Sequence, residues 1–148
     1  MTAAFASEAA VFWSAFLSAT FLPGASELVL AASLAERSAD PFVLIGLATL
    51  GNTLGSLVNW VCGRFLIAFQ DRRWFPVPPR QIDRFTAFFQ RWGIWSLLLA
   101  WAPIIGDVLT VIAGIARVSV PAFLVLVGFG KLARYLAVAA GVLSWPWV

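Results

Sequence analysis

The sequence predicts an all-α integral membrane protein with an internal repeat. Three observations predict it. Of 148 residues, 61% are hydrophobic and 11% are charged, where a soluble domain averages about 45–50% and about 25%. Four apolar runs, at roughly 9–34, 42–69, 93–116 and 120–143, approach or exceed the ~20 residues that a helix needs to cross hydrocarbon. The first and third runs also break in the same way. Phe21-Leu22-Pro23-Gly24-Ala25-Ser26-Glu27 and Trp101-Ala102-Pro103-Ile104-Ile105-Gly106-Asp107 each place a carboxylate four residues after a proline. A helix breaker beside an acid is costly in a bilayer, since freed backbone groups and the charge both need partners. Its recurrence in register points to two halves, and interrupted helices in corresponding positions point to a transporter's binding site.

Taken in order, residues 1–8 lack a basic start and carry Glu8, so no cleavable signal peptide is expected. The first run, 9–34, is broken at Pro23 and Gly24 and reads either as an interrupted span or as a re-entrant hairpin. The hairpin is the expectation, with its tip near the midplane. The turn at 35–41 holds Glu36, Arg37 and Asp40. The second run, 42–69, has no proline and is expected to span. Its Asn52, Ser56, Asn59 and Gly63 follow one helical stripe, and Gly51 with Gly55 forms a small-xxx-small pair suited to close helix contact.

The connection from Arg64 to Arg91 holds Arg64, Arg72, Arg73, Arg80, Arg84 and Arg91 against Asp71 and Asp83. This bias places residues 70–91 in the cytoplasm and the 35–41 turn outside. Val77-Pro78-Pro79 ends one element and opens another. From Arg80 to Trp92, Ile82, Phe85, Phe88, Phe89 and Trp92 recur at helical spacing opposite Arg80, Gln81, Arg84 and Arg91, which predicts a helix lying in the interface. Trp74, Trp92, Trp145 and Trp147 fall at segment ends, where indoles anchor. The third run, 93–116, is broken at Pro103 and Gly106. The fourth, 120–143, spans and carries Lys131 and Arg134 on one face. The chain is thus a single membrane domain, 1–148, with repeat 1 at about 5–70, a basic linker at 71–79 and repeat 2 at about 80–145.

The polar groups inside these runs are the candidate site. Glu27 and Asp107 are read as proton-carrying or hairpin-organising acids. Lys131 and Arg134 are the cations expected to face them, with Asn52 and Asn59 as hydrogen-bonding liners. Gathered on one hydrated centre the four charges balance; alone in the bilayer, each would carry an insertion penalty of about 2.5–3.5 kcal/mol. No histidine occurs and Cys62 is the only cysteine, so a disulfide within the chain, common zinc sites and histidine-based triads are excluded. Cys62 reads as a small hydrophobe. No metal and no cofactor is expected. The net charge of +3 comes from arginines beside apolar segments, which suits anionic lipid rather than nucleic acid.

Leu22-Pro23-Gly24-Ala25-Ser26-Glu27, Leu50-Gly51-Asn52-Thr53-Leu54-Gly55, Pro103-Ile104-Ile105-Gly106-Asp107 with Ala113-Gly114, and Gly130-Lys131-Leu132-Ala133-Arg134-Tyr135 together resemble the DedA superfamily, also called SNARE-associated or VTT-domain proteins. Within it the chain is similar to the small YqaA-like branch of bacteria. The resemblance implies two inverted repeats, each with an interfacial or partial helix, a re-entrant helical hairpin and a transmembrane helix. It implies a multi-pass protein of the bacterial inner membrane that carries polyprenyl phosphate or phospholipid across it, often coupled to protons. The chain departs from the family pattern at two places. The glutamate expected two residues after Pro23 is Ala25, with Glu27 beyond it. The arginines expected around Pro103 are Ala100 and Gly106. Lys131 and Arg134 are then the cations left for a phosphate headgroup.

The expected function is therefore lipid transport or scrambling, with anionic or phosphate-bearing lipids as partners and protons as a coupling ion. The alternatives are a proton-coupled ion or small-solute transporter, and a non-transporting membrane-organising subunit. An enzyme is the least expected class, since no nucleophile–base pair is visible.

Overall fold

A computed structural model describes residues 2–20, 25–66 and 79–144. Pro23, Gly24, Trp74, Trp145, Trp147 and the linker to residue 78 lie outside the described residues. The elements are α1 (Thr2–Ser18), α2 (Ala25–Ala35), α3 (Pro41–Leu66), α4 (Pro79–Trp92), a 3₁₀ helix (Gly93–Trp101), α5 (Ile105–Ile115) and α6 (Val120–Leu143). Every described element is helical.

α3 and α6 arise from the two runs not broken in their middles. Their apolar stretches, Pro41–Phe65 and Val120–Leu143, have mean hydropathies of 1.6 and 1.7 and are long enough to cross a membrane. α3 starts on an aspartate cap: the Asp40 carboxylate accepts from the backbone N–H of Phe42 at 2.8 Å and of Val43 at 3.3 Å. Pro41 follows at the first helical position. Large apolar side chains cover the outside. Phe42 is 81% exposed, and Phe65, Val125 and Phe129 are similarly bare. That much apolar surface on a monomer is a membrane-facing pattern.

The first and third runs each become two short helices. Ser26 Oγ donates to Ser18 Oγ at 3.3 Å, whereas eight residues of continuous helix would separate them by about 12 Å. The chain turns back between them, and Leu30 and Leu34 of α2 share one apolar cluster with Val11 and Ala15 of α1. In the second case the geometry of the break is visible. Ala102 is extended, with ψ 131°, as a residue before proline prefers. Ile104 has φ 66° and ψ −56°, and Ile105 N–H donates to the Pro103 carbonyl at 2.7 Å. This is a γ-turn of the rare, strained kind, held at a β-branched residue.

α2 and α5 end identically. Arg37 N–H donates to Leu34 O and Ser38 N–H to Ser33 O; Arg117 N–H donates to Gly114 O and Val118 N–H to Ala113 O. Both are Schellman caps. The left-handed position that usually takes glycine is arginine in each, with φ 51° at Arg37 and 58° at Arg117.

Packing directions follow from the contacts. Gly51 and Gly55 of α3 lie against the Phe12 and Phe16 carbonyls of α1, so a Cβ at either would overlap backbone. With Asn59 bound to Ala19, the contacts advance together along both helices, and α1 runs parallel to α3. Likewise Gly130 lies on Leu98 and Arg134 on Trp101, so the 3₁₀ helix runs parallel to α6. Asn52 meets Lys131 and Tyr135 while Thr53 faces Gly128, which sets α3 antiparallel to α6. α2 packs on α6 and α5 on α3.

Two apolar clusters result. One gathers Val11, Leu30, Leu34, Leu44, Tyr135 and Ala139; the other gathers Phe89, Leu97, Ile112, Phe123 and Val127. Between them, near the middle of α3 and α6, lies a polar layer. α4 covers the second cluster through Phe89, with Arg80, Arg84, Arg91 and Trp92 exposed; the side chains of Gln81, Ile82, Phe85 and Phe88 lie outside the described ones.

Candidate functional site in the polar layer

The layer is built around Lys131, which is only 3% exposed. Its ammonium donates to the Asn52 backbone carbonyl at 3.1 Å and to the Asn52 side-chain oxygen. Asn52 Nδ2 donates in turn to the Tyr135 hydroxyl at 2.8 Å, and Tyr135 donates to Ser26 Oγ at 3.0 Å. Ser26 continues the chain to Ser18. A single hydrogen-bonded line therefore crosses α6, α3, α2 and α1. A buried cation is tolerated only where such acceptors surround it.

Arg134 lies one position round α6. Its Nε donates to Glu27 Oε1 at 2.5 Å, a half-buried ion pair, and its Nη1 donates to the Trp101 carbonyl at 2.8 Å. That carbonyl is released by the break at Pro103, because the last carbonyls of a helix have no partner within it. Arg134 thus ties the first broken segment to the second.

A small cavity of about 10 Å³ sits beside the break at Pro103. Ser18, Asn52, Pro103, Asp107, Lys131 and Arg134 all line it. Glu27 reaches the centre from outside, through Arg134. The four charged residues read from the sequence therefore converge, from α2, α5 and α6. Asn52 is at the cavity, whereas Asn59 is not among its lining: Asn59 Nδ2 donates to the Ala19 carbonyl at 2.8 Å, fastening the end of α1. Gly106 is packed under the second break, where a Cβ would overlap the Ala100 carbonyl. Pro23 and Gly24 lie outside the described residues.

A second cavity, about 590 Å³, lies on the outer side of Arg134. It is a groove between the 3₁₀ helix and α6, lined by Leu98, Trp101, Phe129, Ala133, Ala137 and Val138, with Glu27, Pro103 and Arg134 at its polar edge. Arg134 and Pro103 belong to both cavities.

Sequence reasoning gave no role to Tyr135, Ser18 or the Trp101 carbonyl. Tyr135 is the chain's single tyrosine and stands four residues after Lys131, one helical turn away; that was the available signal. The Trp101 carbonyl has none, since any residue supplies one. Further along α3, Thr53 Oγ1, Ser56 Oγ and Trp60 Nε1 are buried without a hydrogen-bond partner among the described residues.

The VTT domain family model matches residues 22–143. The chain is 42% identical over 130 residues to inner membrane protein YqaA of Escherichia coli (strain K12), covering 88% of this chain and 87% of that protein. The match to inner membrane protein YqaA of Shigella flexneri has the same identity and coverage. An uncharacterized protein of Haemophilus influenzae is 36% identical over 136 residues, 86% of this chain and 82% of the relative. No solved structure matches. With two apolar helices of spanning length, an apolar exterior and relatives of the inner membrane, this chain belongs to the VTT-domain (DedA) family of membrane proteins.

Proposed function

We propose that this chain is a DedA-type transporter or scramblase that moves a phosphate-bearing lipid, polyprenyl phosphate or phospholipid, across the inner membrane. The observation that carries the reading is the pairing of two cavities across one arginine. A polar centre holds Lys131, Asn52 and Asp107, and an apolar groove opens sideways on the other side of Arg134. The Arg134 edge between them offers a cation to a phosphate headgroup, and the groove beside it offers room for a hydrocarbon chain.

An arrangement of two inverted repeats fits the same reading. α1, α2 and α3 correspond to the 3₁₀ helix, α5 and α6. Each short helix follows a proline in the sequence and ends in an arginine Schellman cap. α1 follows α3, the 3₁₀ helix follows α6, and α3 opposes α6, so the halves run in opposite senses. The broken segments then act as re-entrant hairpins whose tips meet near the midplane. With residues 70–91 read as cytoplasmic, Arg117 also falls on the cytoplasmic side, in keeping with the positive-inside bias. Glu27 and Asp107 are the proton-carrying or hairpin-organising acids, and Lys131 and Arg134 hold the phosphate.

The test is purified protein in phosphatidylcholine vesicles carrying fluorescent phosphatidylglycerol, with dithionite bleaching only the outer leaflet. Scrambling carries bleaching well past half of the label; bleaching that stops at the protein-free level counts against lipid movement. A second reading, proton-coupled movement of a small ion, draws on the inner cavity, which has room for about one water. It is separated by acidification of a trapped pH dye in the same vesicles without lipid flux. Absence of both fluxes leaves the membrane-organising role.

A further inference from the structure

We propose that the outer groove is a lipid-binding site that seats one hydrocarbon chain, with the anionic headgroup of that lipid displacing Glu27 from Arg134. This deepens the transport reading and rests on it for the fate of the lipid, but the binding itself can be measured alone.

The groove's shape and composition argue for a chain. Its volume of about 590 Å³ is within the range of about 300–1,000 Å³ for ligand sites. Its walls are apolar, and Phe129, Ala133 and Ala137 on α6 are exposed on the same side as Trp101. That surface meets hydrocarbon in a bilayer, so a lipid reaches it without crossing water. A soluble ligand would have no such route.

The polar edge argues for an anion. Arg134 is held by one carboxylate oxygen and one backbone carbonyl. A guanidinium carries five N–H donors in a planar fork that matches phosphate bidentately. Glu27 is 33% exposed at its side chain and lines the groove, so it is the partner that an incoming headgroup can displace. The Trp101 carbonyl stays, being part of the backbone. The Glu27–Arg134 pair is therefore a partition between groove and inner cavity, and an anionic headgroup competes with Glu27 for the same cation. Glu27 and the lipid then have opposite effects on one equilibrium, which a purely structural ion pair does not predict.

The experiment places a photo-crosslinking amino acid at Ala133, in the groove, and in a control protein at Val125, an exposed α6 position outside it. Both full-length proteins are reconstituted in phosphatidylcholine vesicles with and without phosphatidylglycerol, and adducts are read by intact-protein mass spectrometry. Phosphatidylglycerol capture at Ala133 should exceed its share of the vesicle at least severalfold, while Val125 reports bulk composition. Glu27→Gln should raise that enrichment and Arg134→Gln should abolish it. Ala137→Trp fills the groove at an exposed position and should lower total lipid capture at Ala133 without touching the ion pair, so the site remains testable if Arg134→Gln does not fold. Equal capture at Ala133 and Val125, or parallel losses in Glu27→Gln and Arg134→Gln, overturns the proposal. The leaflet assay is scored separately: enrichment without lipid movement keeps the site and removes the transport role, whereas movement without enrichment removes the site alone.

Discussion

The Lys131–Asn52 contact allows the sharpest energetic test. Asn52→Ala removes the side-chain acceptor of a buried ammonium and the amide donor to Tyr135. Hydrogen bonds to charged groups contribute about 1.5–3 kcal/mol and neutral ones about 0.5–1.5 kcal/mol, so the loss should be about 2–4.5 kcal/mol. Among the described residues, Lys131 would keep the Asn52 backbone carbonyl. Lys131→Met removes the cation but leaves the two Asn52 oxygens buried without that donor, a cost of about 1–3 kcal/mol. The double mutant should therefore be more stable than the two single losses predict, with a coupling of about 1.5–3 kcal/mol. Equilibrium unfolding in mixed micelles, followed by circular dichroism, measures all four corners of the cycle. Interhelical hydrogen bonds in a membrane protein average about 0.6 kcal/mol, because the unfolded helices also find partners in the bilayer. A coupling at or below that average would refute the view that Lys131 depends on Asn52. Lys131→Met should also stop lipid movement while the fold survives, which separates stability from function.

Three further outcomes are expected. Gly114→Ala pushes a methyl into the Trp60 carbonyl and should cost about 1–3 kcal/mol as overpacking, whereas Gly46→Ala, with open space around it, should be stabilising by up to about 1 kcal/mol; the two melting temperatures should move in opposite directions. Arg117→Gly relieves a left-handed residue and should raise stability by about 1 kcal/mol, and a fall of that size in the unfolding midpoint would show that the arginine side chain matters more than its backbone. Glu27→Gln and Asp107→Asn should each abolish transport in the leaflet assay with near-normal expression, and full activity in both would remove the acids from the mechanism.

Element boundaries were largely legible from the sequence. Continuous apolar length set α3 and α6, and the periodicity of residues 80–92 marked α4, because burial in hydrocarbon or at an interface leaves a compositional trace. The break at Pro103 was legible too, since proline removes a helix donor wherever it stands. The convergence of Glu27, Asp107, Lys131 and Arg134 could be argued from charge balance, because unpaired charges in a bilayer are costly. What the sequence did not show was how those charges divide. Periodicity put Asn52 and Asn59 on one stripe, yet Asn52 serves Lys131 and Asn59 serves the end of α1, because each amide bonds whatever carbonyl or hydroxyl the neighbouring helix brings to its level. The Schellman arginines hid for a similar reason: the local signal for a left-handed cap is glycine, and only the return of α3 and α6 across the bundle requires the turn there. The Trp101 carbonyl carries no side-chain identity at all. Composition and local chemistry therefore determined which groups must be inside and where the helices stop. Tertiary packing alone decided which acceptor each buried donor found, since that depends on distances between segments far apart in the chain.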